Sequence, residues 1–122
     1  MDCIRIGQAL TEVAQRIRRE LAGGAPVDPL RLSVVRGVSI VVYAGPTYWH
    51  GSTVYLYAQA PDWSSELAHE LLEMEADSLG LDLRGCPWCY GCAECAVRQA
   101  RIAMMGATDP PEIRAGPLRN VG

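Results

Sequence analysis

The sequence predicts an α+β fold in one domain: an N-terminal helix, a small antiparallel sheet, a second helix, a cysteine-bearing loop and a C-terminal helix, in that order. Three observations carry this prediction. An apolar stripe of helical period opens the chain, short β-branched and aromatic runs fill its middle, and a leucine-rich segment of helical period lies between an aspartate and a glycine. The 122 residues fit a single domain, since domains most often run to roughly 100–150 residues. We place that domain at 1–105 and expect 106–122, with its three prolines and three glycines, to be an extended tail.

The elements follow in order. Ile6, Leu10, Val13, Ile17 and Leu21 recur at steps of four, three, four and four, which makes one buried face of a helix that ends at Gly23-Gly24. From Arg31 to Tyr43 the chain is β-branched and partly alternating, with Val38, Ile40 and Val42 on one side and Gly37 as a turn or bulge. That pattern predicts one long bent strand or a tight hairpin. Ala44 to Ser52 reads as loop, and Thr53-Val54-Tyr55-Leu56-Tyr57 alternates as a further strand. Asp62 or Ser64 can cap a helix from Trp63 to Leu79 that stops at Gly80, and Ala93 to Met105 reads as a third helix with Ala96, Val97, Ala100, Ala103 and Met104 on its buried side.

Composition excludes several function classes. Apolar residues make up 49% of the chain, too many for a disordered segment. The net charge is −3, and the eleven positive charges are scattered, so the basic patch of a nucleic-acid binder is missing. No apolar run approaches the roughly 20 residues of a membrane helix, and Met1-Asp2-Cys3-Ile4-Arg5 lacks the order of a signal peptide, so the expected compartment is the cytoplasm. We expect no nucleic-acid and no membrane partner. The tyrosines at 43, 48, 55 and 57 are explained by core or sheet-surface packing, and His50 by an exposed loop.

Two groups of residues carry chemistry. The first is Cys86-Pro87-Trp88-Cys89-Tyr90-Gly91-Cys92-Ala93-Glu94-Cys95, a three-residue step repeated three times. In a reducing compartment thiolates are soft ligands for zinc, iron or an iron–sulfur cluster, and a Cys-x-x-Cys pair on a tight turn brings two sulfurs to one ion. A straight helix would hold Cys86 and Cys95 about 13 Å apart, too far for one ion whose bonds to sulfur are about 2.3 Å long. The segment is therefore expected to fold round the metal, helped by Pro87 and Gly91. Its first pair resembles the knuckle of rubredoxins and zinc ribbons, and Cys86-Pro87-Trp88-Cys89 also resembles the active turn of glutaredoxins, so zinc, an iron–sulfur cluster and a redox pair all stand as readings.

The second group lies on the helix from Trp63. At 100° per residue Glu66, His69, Glu70, Glu73 and Asp77 fall within an arc of about 100°, opposite the apolar residues. His69 and Glu73, four apart, can share one ion, and Glu70 sits where a general base would act on a bound water. A solvated acidic face is the plainer reading of the same row. Glu75 falls among apolar positions, and on a continuous helix it requires an arginine partner.

Leu67-Ala68-His69-Glu70-Leu71, preceded by an alternating strand and followed by Glu75-Ala76-Asp77, resembles the ImmA/IrrE-type zincin metallopeptidases over roughly the middle of the chain. The resemblance implies that a strand runs beside the active helix, that His69 binds zinc and that Glu70 is the catalytic base. Glu73 stands where that family has a second histidine, and the family's downstream acid falls on Glu75 or Asp77. The function so implied is peptide-bond cleavage, active or degenerate, on a protein or peptide substrate. The rival readings are a zinc-stapled, non-enzymatic protein-interaction module and an iron–sulfur protein.

Overall fold

The structure, a computed structural model, describes residues 3–81, 83 and 92–106. It is an α+β fold with four helices and a small sheet among these residues: α1 (Cys3–Ala22), α2 (Pro29–Arg36), β1 (Ser39–Tyr43), β2 (Tyr48–His50), β3 (Thr53–Tyr57), α3 (Trp63–Ser78) and α4 (Cys92–Met105). Among them, no helix is long and apolar enough to cross a membrane.

α1 forms as its stripe requires. Ile6, Leu10, Val13, Ala14 and Ile17 are buried, and the helix stops where Gly23 and Gly24 take positive φ. Its main neighbour is α4. Arg18 ties the two together, its Nε donating to Gly24 O at 2.7 Å and its Nη1 to Ala103 O at 3.1 Å.

The stretch from Arg31 departs from expectation, because its first half is helix and not strand. Asp28 accepts a hydrogen bond from Leu30 N at 3.0 Å and Pro29 fills the first turn, where its missing N–H costs nothing. At the other end Gly37 (φ 69°) lets Gly37 N reach Val34 O at 3.1 Å and Val38 N reach Ser33 O at 2.8 Å, the double closure of a Schellman motif. These start and stop signals outweigh the β preference of Val34 and Val35, which remain exposed while Leu32 is buried.

The sheet is mixed and not antiparallel, in the order β1-β3-β2. β1 runs parallel to β3, from Ser39 opposite Thr53 to Tyr43 opposite Tyr57. The loop expected between Ala44 and Ser52 contains the short strand β2, which turns at Gly51 (φ 61°) and pairs antiparallel with β3, Trp49 opposite Val54. β3 is thereby enclosed between two strands that both precede it. Ile40, Val54, Leu56 and Trp49 share one face by this register, and Val54 and Leu56 bury there with Leu67, Ala68, Leu71 and Leu72 of α3. The opposite face carries His50 and the tyrosines, with Tyr48 stacked on Tyr55 at 4.8 Å and Tyr43 edge-on to both. Sheet-surface packing accounts for them, as expected.

α3 keeps the expected bounds to within a residue and is capped by Asp62, which accepts from Ser65 N at 3.2 Å. α4 begins at Cys92, so the last Cys-x-x-Cys step lies in the first helical turn and does not share in a non-helical wrap. Cys86 and Cys89 lie outside the described residues, as do the side chains of Cys92 and Cys95 and the tail from 107 onward.

Candidate functional site

α3 positions the site because its two faces do different things. Leu67, Leu71 and Leu72 are buried against β3 and the other helices. That anchoring turns the row of Glu66, His69, Glu70 and Glu73 toward the segment that contains Thr47 and Trp49. Between them lies an open cleft of about 350 Å³ lined by Thr47, Ser65, Glu66, His69, Glu70 and Arg101.

Three ligand-capable side chains converge beside it. His69, Glu70 and Glu73 each offer one nitrogen or oxygen atom, and these atoms all lie within 4.8 Å of one another. His69 Nε2 and Glu73 Oε2 are 3.0 Å apart. Since a carboxylate only accepts, the imidazole donates from Nε2 in this contact. Glu73 is also fixed from the sheet, because Trp49 Nε1 donates to its Oε1 at 3.2 Å. Glu70 is only 8% exposed, whereas His69 and Glu73 are partly open to the solvent.

Among the described residues this is the set that can hold a metal ion. Ion-to-ligand bonds of about 2.0–2.2 Å place two ligand atoms of one ion about 3.0–3.6 Å apart, so the His69–Glu73 contact needs little change to accept one. An imidazole with two carboxylates suits a divalent first-row ion, and two ionised carboxylates match its charge. The other expected members of the row behave differently. Glu66 accepts from Thr47 Oγ1 at 2.5 Å, and Thr47 in turn accepts from Tyr57 N at 3.0 Å, which spends Glu66 on holding the loop. Asp77 is exposed and stands outside the converging set.

Glu75 finds the arginine its position requires. Arg36 Nε lies 2.8 Å from its Oε2 and Arg36 Nη2 lies 3.3 Å from its Oε1. The pair raises the pKa of Arg36 above its ordinary value, chiefly through the hydrogen bond to Glu75 and against the cost of burial. Glu75 is thereby engaged in joining α3 to α2, on a different side of α3 from Glu73.

Three contributors lie outside the row read from the sequence: Trp49, Thr47 and Arg101. Trp49 lies in a strand of three residues, too short to show a period, and its indole reaches α3 only through the pairing of β2 with β3. Arg101 joins from α4 and carried no local signal. Comparison of the chain with protein-family models, with curated proteins and with solved structures found no significant match.

Proposed function

We propose that the chain is a small divalent-metal-binding domain of zincin type, in which His69 and Glu73 hold a zinc ion and Glu70 is the base for hydrolysis of a peptide bond. The observation that carries this reading is the convergence of His69, Glu70 and Glu73 within 4.8 Å at an open cleft of about 350 Å³. Support also comes from Trp49 of β2, whose bond to Glu73 sets a strand beside the helix in the manner that the resemblance to ImmA/IrrE-type enzymes implies.

When bound, the ion supplies Lewis acidity and acidifies a coordinated water. The remaining chemistry belongs to the chain. Glu70, largely withdrawn from solvent, accepts a proton at a carboxylate oxygen as water oxygen bonds to the carbonyl carbon. It returns that proton to the amine nitrogen as the C–N bond breaks. Glu73 keeps its orientation because Trp49 Nε1 donates to its Oε1, which leaves Oε2, the oxygen beside His69 Nε2, for the ion. We further propose that Cys86, Cys89, Cys92 and Cys95 bind a second metal, zinc or an iron–sulfur cluster, that staples the segment leading into α4.

The deciding experiment uses two variants of the full chain. Glu70→Gln is expected to retain zinc while lowering the hydrolytic rate by about a hundredfold or more, because the amide takes no proton. His69→Ala is expected to lose one zinc per chain by elemental analysis and to leave any cysteine-held metal in place. Unchanged metal content in His69→Ala reduces the helix to a solvated acidic face and moves the protein-interaction reading ahead.

A further inference from the structure

The cleft is acidic on α3, yet among the described residues its lining includes one arginine, Arg101. Its Nη1 donates to Ser65 Oγ at 3.2 Å, and among the described residues no carboxylate is ion-paired with it. A guanidinium has five N–H donors in a planar fork, and a single hydroxyl engages one of them. Nothing about holding α4 against α3 requires a charge here, since a neutral donor would serve Ser65 equally well. The neighbouring Glu66 makes no ion pair with it and accepts from Thr47 instead. An arginine that is partly buried, aimed into a cleft and left with spare donors is built to receive a planar anion in two parallel hydrogen bonds.

Its distance from the metal-capable set narrows the ligand. Ser65 precedes His69 by four residues on one helix, a rise of about 6 Å. One to two residues of extended peptide span that length, at about 3.3–3.6 Å each. We propose that Arg101 is the specificity residue of this cleft, binding a peptide carboxylate that lies within two residues of the carbonyl presented to His69, Glu70 and Glu73. This rests on the metal-site reading above and adds the substrate class: peptides with a free C-terminus close to the scissile bond, or with an acidic side chain there. Ser65 then acts as a positioning residue, holding the guanidinium in place before the ligand arrives.

The test measures binding, by calorimetry, to zinc-loaded and to chelator-treated full-length protein. The probes are trialanine with a free carboxylate, trialanine amide, and alanyl-aspartyl-alanine amide. Wild type is expected to bind one or both carboxylate probes about tenfold more tightly than trialanine amide, the scale of a charged hydrogen-bonded pair. Preference for free trialanine assigns the C-terminal carboxylate, and preference for the aspartyl probe assigns a side chain. Arg101→Gln is expected to bring the affinities within about twofold of each other while zinc uptake stays intact, and Arg101→Lys to restore part of the preference, since it keeps the charge without the fork. Equal binding of all three probes by wild type overturns the proposal without recourse to a variant, as does a preference that survives in Arg101→Gln. The two readings fail separately: absence of zinc uptake by wild type defeats the metal site, whereas the carboxylate preference is read in the chelator-treated protein as well.

Discussion

Glu73 is held at both carboxylate oxygens, by Trp49 on one and His69 on the other, and this double restraint separates it from the other acids of α3. A side chain so held loses little rotamer entropy on taking up an ion, and groups that orient a ligand from behind tune affinity almost as strongly as the ligand itself. Trp49→Phe keeps the ring against α3 and removes only the N–H. It is expected to weaken zinc binding by about 10–100-fold with the fold intact, as measured by competition with a chromogenic chelator. An affinity equal to wild type assigns the indole to packing alone. Two residues further on, Glu75 illustrates the opposite case. Its partner Arg36 is 38% exposed at the side chain, so removing the pair is expected to cost at most about 1 kcal/mol.

At the scale of elements, α2 is the part of the fold where local rules compete. Its body, Leu30-Arg31-Leu32-Ser33-Val34-Val35, favours a strand by composition, while Asp28-Pro29 and Gly37 mark a helix start and stop. Asp28→Ala removes the cap and is expected to cost about 1 kcal/mol. Gly37→Ala places a side chain at φ 69° and is expected to cost about 1–2 kcal/mol. Both are read from urea unfolding midpoints, and an unchanged midpoint in either variant means that tertiary contacts alone hold α2. The same competition explains how far the fold was legible. α1 and α3 follow from stripes of helical period, and Glu75 betrayed its arginine by sitting among leucines. The parallel pairing of β1 with β3 was not legible, because strand order depends on where the chain crosses and not on which residues alternate. β2 is three residues long, too short to show a period. The helical row of His69, Glu70 and Glu73 was readable at 100° per residue, whereas Arg101 needed the packing of α4 against α3 to enter the cleft.

At the scale of the whole molecule, α3 is the element on which the others meet: it touches α1, α2, α4, β2 and β3, and it carries the metal-capable set. Zinc binding at His69 and Glu73 therefore acts on global stability, since the site is assembled in the folded chain, where Trp49 orients Glu73 from the sheet. A ligand that binds only the native state at 100 times its dissociation constant adds about 2.7 kcal/mol. Zinc is thus expected to raise the melting temperature reversibly, with removal by chelator restoring the lower value. The sign of the pH dependence follows from the ligands. Zinc takes a neutral imidazole and ionised carboxylates, so protons compete with it, and the stabilisation is full at neutral pH and shrinks as the solution is acidified. Differential scanning calorimetry with zinc and with chelator, at neutral and at mildly acidic pH, measures it. Glu73→Gln is expected to remove the share of the zinc-dependent increment that belongs to the helix site, leaving any share held by the cysteines, with the metal-free melting temperature close to wild type because Trp49 can still donate to the amide oxygen. A zinc increment that persists undiminished in Glu73→Gln places the bound metal elsewhere in the chain. The cysteine segment is the alternative location to examine then, and Cys89→Ser identifies it by losing that increment.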